Sequence, residues 1–249
     1  MNEQLLIKNI AEIGKLLLKN GAEIYRVEES LERMCQSYGF QDIGVFALPT
    51  YFTMSVTFQD GTSTSLTKRT LQNRTNLDAV CALNVRKICN ETPTNDFIEQ
   101  QIQAINSLHP IMPLVLLGYG LGAGGYAIFF GGGLHEGIIA GIIGFLMYFF
   151  IWINEILGIN SLMRTTLTSM FLTILAILFY HFHLIYNLDA TIIGCLMILT
   201  PGIAITNSLR DIIDGNYVSG QARLVEAFFI ATAIALGVGL IRILLKGLI

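Results

Sequence analysis

The chain has 249 residues, 53% hydrophobic and only 13% charged, with a formal net charge of −3 and a mean hydropathy of +0.60. A soluble domain carries about 25% charged residues, and here the charge is also uneven: residues 1–110 hold 10 of the 15 cations and 12 of the 18 anions. That distribution excludes a single soluble globule, a disordered chain and a nucleic-acid binder driven by net charge.

From Leu5, the positions Leu6, Ile10, Ile13 and Leu17 recur at helical spacing, and Asn20-Gly21 ends the run, because glycine takes the left-handed conformation of a helix C-cap. Charges at Glu3, Lys8, Glu12, Lys15 and Lys19 leave no apolar core for a secretory signal here. A second amphipathic helix carries Ile24, Val27, Leu31, Met34 and Tyr38, stopped at Gly39. The period then changes to two. Phe52, Met54, Val56 and Phe58 alternate with Thr53, Ser55 and Thr57 as a half-buried strand. Asp60-Gly61 predicts a type I′ hairpin turn, with positive φ at both residues, into a return strand over Thr62–Thr67. Ile43–Leu48, stopped by Pro49, is a third strand. Asn76 is placed to cap one helix bearing Leu77, Val80, Cys81, Asn84, Val85 and Ile88, and an amphipathic helix follows over 95–108. The four cysteines, Cys35, Cys81, Cys89 and Cys195, show no metal-ligand spacing and are expected to be buried reduced thiols. No metal or cofactor is called for.

A membrane-spanning helix needs about 20 mostly apolar residues. Five stretches qualify, at 111–130, 134–153, 167–183, 188–208 and 222–245, the third being the shortest. The expected fold is therefore an α+β cytoplasmic domain (1–110) followed by an all-α membrane domain of five transmembrane helices (111–249). Arg164, Arg210 and Arg223 fall at the membrane face on the side of the N-terminal domain, and the two opposing loops have no Lys or Arg. By the positive-inside rule the N-terminal domain is cytoplasmic and the C-terminus outside, with Arg242 and Lys246 as the exception. Gly118/Gly122, Gly120/Gly124 and Gly137/Gly141 form small-xxx-small patterns that let membrane helices approach closely.

Thr200, Pro201 and Gly202 interrupt the fourth apolar stretch. Proline removes a donor and clashes with the preceding turn, and discontinuous helices are where transporters bind substrates and ions. Beyond them, Asn207, Arg210, Asp211 and Asp214 share one helical face. Two readings stand: an i,i+4 pair of Arg210 with Asp214 at the interface, or a gate or ion-coupling cluster. Glu226, one turn inside an apolar helix, is a candidate for proton coupling because an ionisable residue there is costly. The proposed substrate and ion pathway is Thr200, Pro201, Gly202, Asn207, Arg210, Asp211 and Glu226.

Gly21-Ala22-Glu23-Ile24-Tyr25-Arg26-Val27-Glu28, Leu48-Pro49-Thr50, Asn160-Ser161 and the run from Leu199-Thr200-Pro201-Gly202 to Leu209-Arg210-Asp211 resemble the threonine/serine exporter family. The layout is similar to its YjjP-like branch, a cytoplasmic domain followed by five spans. The resemblance implies a multi-pass protein of the bacterial inner membrane, in contact with the lipid bilayer, exporting small polar metabolites. These are threonine and serine in one branch and C4-dicarboxylates such as succinate in the other. It also implies a separate YjjB-like five-span membrane subunit, since full-length members carry a second five-span unit absent here. A secondary transporter is the leading reading. The alternative is a membrane-anchored enzyme, or a regulatory or docking subunit, with its activity in the N-terminal domain; no Walker A, GxSxG or HExxH motif occurs.

Overall fold

The structure is a computed structural model and describes residues 3–70, 76–83, 85–106 and 111–248. The chain divides into two compact units, Met1–His109 with Ala204–Leu224, and Pro110–Ile203 with Val225–Ile249.

In the first unit, α1 (Glu3–Lys19) and α2 (Ile24–Ser37) are amphipathic helices separated by Gly21 at φ 83°. A three-stranded antiparallel sheet follows in the order β1 (Gln41–Leu48), β2 (Tyr51–Thr57), β3 (Ser63–Arg69). The predicted periods place the core: Leu6, Ile10, Ile13, Leu17, Ile24, Val27, Leu31, Met34, Phe52, Met54 and Val56 are all buried. Gly14 lets α1 come close to α2 and β2, since a Cβ there would lie 2.8 Å from Leu31 and 3.0 Å from Phe52.

The β2–β3 turn differs from the type I′ expectation. Only Gly61 has positive φ, at 81°. Phe58 accepts from the Gly61 N–H at 3.0 Å and pairs with Thr62 at 2.8 Å, leaving a three-residue loop. The Asp60 carboxylate accepts from the Thr62 N–H and hydroxyl at 2.8 and 2.6 Å, so a side-chain-stabilised turn with one left-handed glycine replaces a turn needing two positive φ angles.

Asn76 caps α3 (Leu77–Ala82), accepting from the Ala79 N–H at 3.1 Å. The predicted single helix is broken here: Leu83 leaves helical geometry at ψ 78°, and α4 (Val85–Glu91) starts afresh. Asn84, placed on that helix by periodicity, lies outside the described residues, as do residues 107 and 108 beyond α5 (Asn95–Asn106). Cys35 and Cys195 are buried, whereas Cys81 is exposed and Cys89 half-buried, contrary to the expectation of four buried thiols.

Among the described residues, four helices are long and apolar enough to cross a membrane: α6 (Met112–Phe129), α7 (Leu134–Ile156), α8 (Ser161–His181) and α11 (Tyr217–Leu244). A fifth span exists if the bent pair α9 (Leu188–Met197) and α10 (Gly202–Ile213) is counted as one. The third span is not short. Asn160 caps it at its side chain, and the hydroxyls of Thr165, Thr166 and Thr168 donate to carbonyls four residues back. Residues 161–166 are therefore helical although Ser161, Arg164, Thr165 and Thr166 dilute the hydropathy signal. For the same reason α11 begins at Tyr217 rather than 222.

Glycine packing joins α6 to α7. A Cβ on Gly124 would stand 2.6 Å from the Gly137 carbonyl, and one on Gly141 3.2 Å from that of Gly120. Gly144 faces the Tyr119 carbonyl, Gly120 the Phe145 ring and Gly194 of α9 the Ala127 backbone. Gly118, in contrast, meets nothing within 4 Å. Around these contacts Ala123, Ala140, Ile143 and Met147 are fully buried, while Leu114, Leu121, Ile138, Phe228 and Ile243 point outward.

Candidate functional site

The predicted break is present. α9 stops at Met197, α10 starts at Gly202, and the two axes bend by 56°. The Leu196 carbonyl takes up the Thr200 N–H and hydroxyl, both at 3.1 Å, and the Gly202 N–H turns back to the Thr200 carbonyl at 2.8 Å. Pro201 supplies no donor, so the ladder cannot continue.

Within the first unit α10 and the start of α11 form a helical hairpin, turned at Gly215 with φ 87°. The two helices touch at Gly220, where a Cβ would lie 2.5 Å from Ile212 and 2.9 Å from the Ser208 carbonyl. The Ser208 hydroxyl, fully buried, donates to the Gly220 carbonyl at 2.6 Å. Three further contacts tie this hairpin to the α1–α2 turn and the end of β1. Arg210 forms an ion pair with Glu23 at the start of α2. The Arg223 Nη2 donates to the Ala22 carbonyl at 3.2 Å, and the Ser219 hydroxyl to the Ala47 carbonyl at 3.2 Å.

Asp211 lies inside this frame with 0% exposure, its Oδ2 3.5 Å from the Arg223 Nε. On α2, Glu28 accepts from the Ala47 N–H at 2.7 Å. Burial pushes the Glu28 carboxyl above its ordinary range against that hydrogen bond, and the charges of Glu32 and Asp211 add to the rise.

The site residues expected from sequence are therefore distributed. Arg210 and Asp211 enter the cluster, and Asn207 is half-buried on the same helix. Thr200, Pro201 and Gly202 form the break. Glu226 lies in the second unit, exposed on α11. Arg210 pairs with Glu23 rather than with Asp214, which is exposed. A helix-surface pair is worth only tenths of a kcal/mol, so a tertiary partner readily displaces it. Glu23, Arg223, Ser208 and Ser219 had no separate signal in helical spacing, because their partners lie on other elements. In the second unit Arg242 pairs with Asp189 at the start of α9, so the exception to the positive-inside count carries its own counter-charge.

Residues 8–244 match the sequence profile of a family described as "Putative threonine/serine exporter". No curated protein and no solved structure matches the chain. Within the first unit the cluster brings together Ala22, Glu23 and Glu28 of the Gly21–Glu28 segment, Ala47 near the end of β1, and Arg210 and Asp211 of α10. With a match spanning nearly its whole length, the chain belongs to the threonine/serine exporter family.

Proposed function

We propose that this chain is one subunit of a secondary exporter of small polar metabolites, either threonine and serine or C4-dicarboxylates such as succinate, working with a YjjB-like five-span subunit in the bacterial inner membrane. The observation that carries the reading is the family match over residues 8–244, on a chain whose described residues include four apolar membrane-length helices and one bent pair. The α+β part within residues 1–110 is the cytoplasmic domain, the spans lie within 111–249, and the C-terminus is outside. Thr200, Pro201, Gly202, Asn207, Arg210 and Asp211 line the start of the pathway, and Glu226 is its ionisable residue on α11. An odd number of spans in each subunit gives the two halves opposite orientation, the arrangement that inverted repeats use for alternating access.

The test is efflux of labelled threonine, serine and succinate from cells lacking their own exporters, with this chain expressed alone and with a five-span partner. Export of one label only in the presence of the partner is the expected result. Export by the chain alone would refute the two-subunit arrangement, and no export of any label would refute the transport reading.

A further inference from the structure

Two carboxylates are buried among the described residues, and their surroundings are opposite. Glu136, at the start of α7, accepts from the Gly133 N–H at 2.8 Å, the Tyr186 N–H at 2.8 Å and the Asn187 N–H at 3.1 Å. Asp211 accepts no hydrogen bond on either oxygen from any described residue. Its nearest cation, the Arg223 Nε, is 3.5 Å away, well beyond the roughly 2.7–2.9 Å of a charge-assisted bond. That guanidinium also serves the Ala22 carbonyl.

Other nearby donors are committed elsewhere. The Ser208 hydroxyl is bound to Gly220, the Ser219 hydroxyl to Ala47, and Arg210 is turned to Glu23. The charged groups facing Asp211 are Arg210 and Asp214 of α10, Arg223 of α11 and Glu28 of α2, with Glu23, just before α2, paired to Arg210; β1 contributes only the Ala47 backbone. A carboxylate taken out of water without donors is expensive. Protonated, the same group loses its charge and gains a donor.

We propose that Asp211 is a proton-binding site: it carries a proton while α10 and α11 are packed as seen here, and gives it to water when the hairpin loosens and the carboxylate becomes solvated. This goes beyond export of any particular cargo and stands whichever metabolite is carried. The sign follows from linkage. The packed form binds the proton more tightly than the loosened form, so acid favours packing. Above the ordinary aspartate range, near about pH 4, the packed population falls up to tenfold per pH unit until Asp211 ionises in the packed form as well.

The experiment is amide hydrogen exchange of the full chain in lipid nanodiscs from pH 5 to 8, corrected for intrinsic exchange, with α1 as the internal reference. In the wild type, protection of residues 204–224 should fall with rising pH by at least about threefold more than that of α1. Asp211→Asn should be flat with pH and at pH 7 at least as protected as the wild type, because the amide mimics the protonated acid. A loss of protection of about tenfold or more in Asp211→Asn is the signature of a broken buried ion pair and would overturn the proposal, as would a wild-type profile that does not depend on pH. Asp214→Asn, on an exposed residue, should move the wild-type profile to lower pH by removing a like charge. An unmoved profile would assign the titration to another group and overturn the assignment. Transport is not read in this experiment, so a failed efflux assay leaves its outcome intact.

Discussion

Replacing Gly124 with alanine should destabilise the protein, while the same replacement at Gly118, six residues earlier on α6, should not. Both substitutions exchange glycine for the best helix former, a common gain of about 0.8–1 kcal/mol. They differ in what the new methyl group meets. At Gly118 it enters open space; at Gly124 it lies 2.6 Å from the Gly137 carbonyl, against an ordinary contact distance of 3.4–4 Å. The helices must part by about 0.8 Å to accept it. A gap of 0.5–1 Å forfeits roughly a quarter to a half of each dispersion contact it opens, here around Ala123, Ala140, Ile143 and Met147. Overpacking of this kind costs about 1–3 kcal/mol. Since about 1 kcal/mol moves the melting temperature of a chain this size by 2–4 °C, Gly124→Ala should melt roughly 2–12 °C below Gly118→Ala. Thermal unfolding of both variants in the same detergent measures this difference. Equal melting temperatures would refute the α6–α7 contact.

Two further outcomes are expected. Glu136→Gln should lower the melting temperature by the equivalent of about 0.5–1.5 kcal/mol, because its amide nitrogen turns a donor toward one of the three N–H groups the carboxylate holds; Glu136→Ala, which removes every acceptor, should lower it further. In the first unit, burial alone would raise the Glu12 carboxyl, but the ammonium groups of Lys68 and Lys15 outweigh it and hold it below the usual range. A depressed folded-state value contributes stability above the unfolded value, near about pH 4.3, that is lost as pH falls through the folded one. Glu12→Gln should therefore melt below the wild type at pH 7 and match it in strong acid; a difference that persists there would disprove this linkage.

Amphipathic period, turn chemistry and hydropathy were enough to locate α1, α2, β2 and the apolar helices, because each reports a local competition between backbone conformation and burial of one face. Where polar residues continue a helix, the hydropathy signal ends too early: residues 161–166 are helical with a cap from Asn160 and hydroxyl-to-carbonyl bonds, and residues 217–221 begin α11 although Ser219, Gly220 and Gln221 dilute the signal. The predicted helix from 77 to 88 failed for the opposite reason, since apolar spacing continued through a point where Leu83 breaks the ladder.

Charge distribution and hydrophobic period determined that a charged α+β portion precedes an apolar helical one, and Thr200-Pro201-Gly202 marked where the fourth apolar stretch is interrupted, because a missing N–H is a covalent fact that no packing restores. Which charges meet was decided only by the tertiary structure. Arg210 passes over Asp214 on its own helix for Glu23, and Asp211 is brought beside Arg223 yet denied a hydrogen-bond donor. The frame that holds these charges includes the Arg223–Ala22 bond, between residues 201 positions apart in the chain. Folding sets such contacts, and with them the cost of leaving a charge on a buried carboxylate.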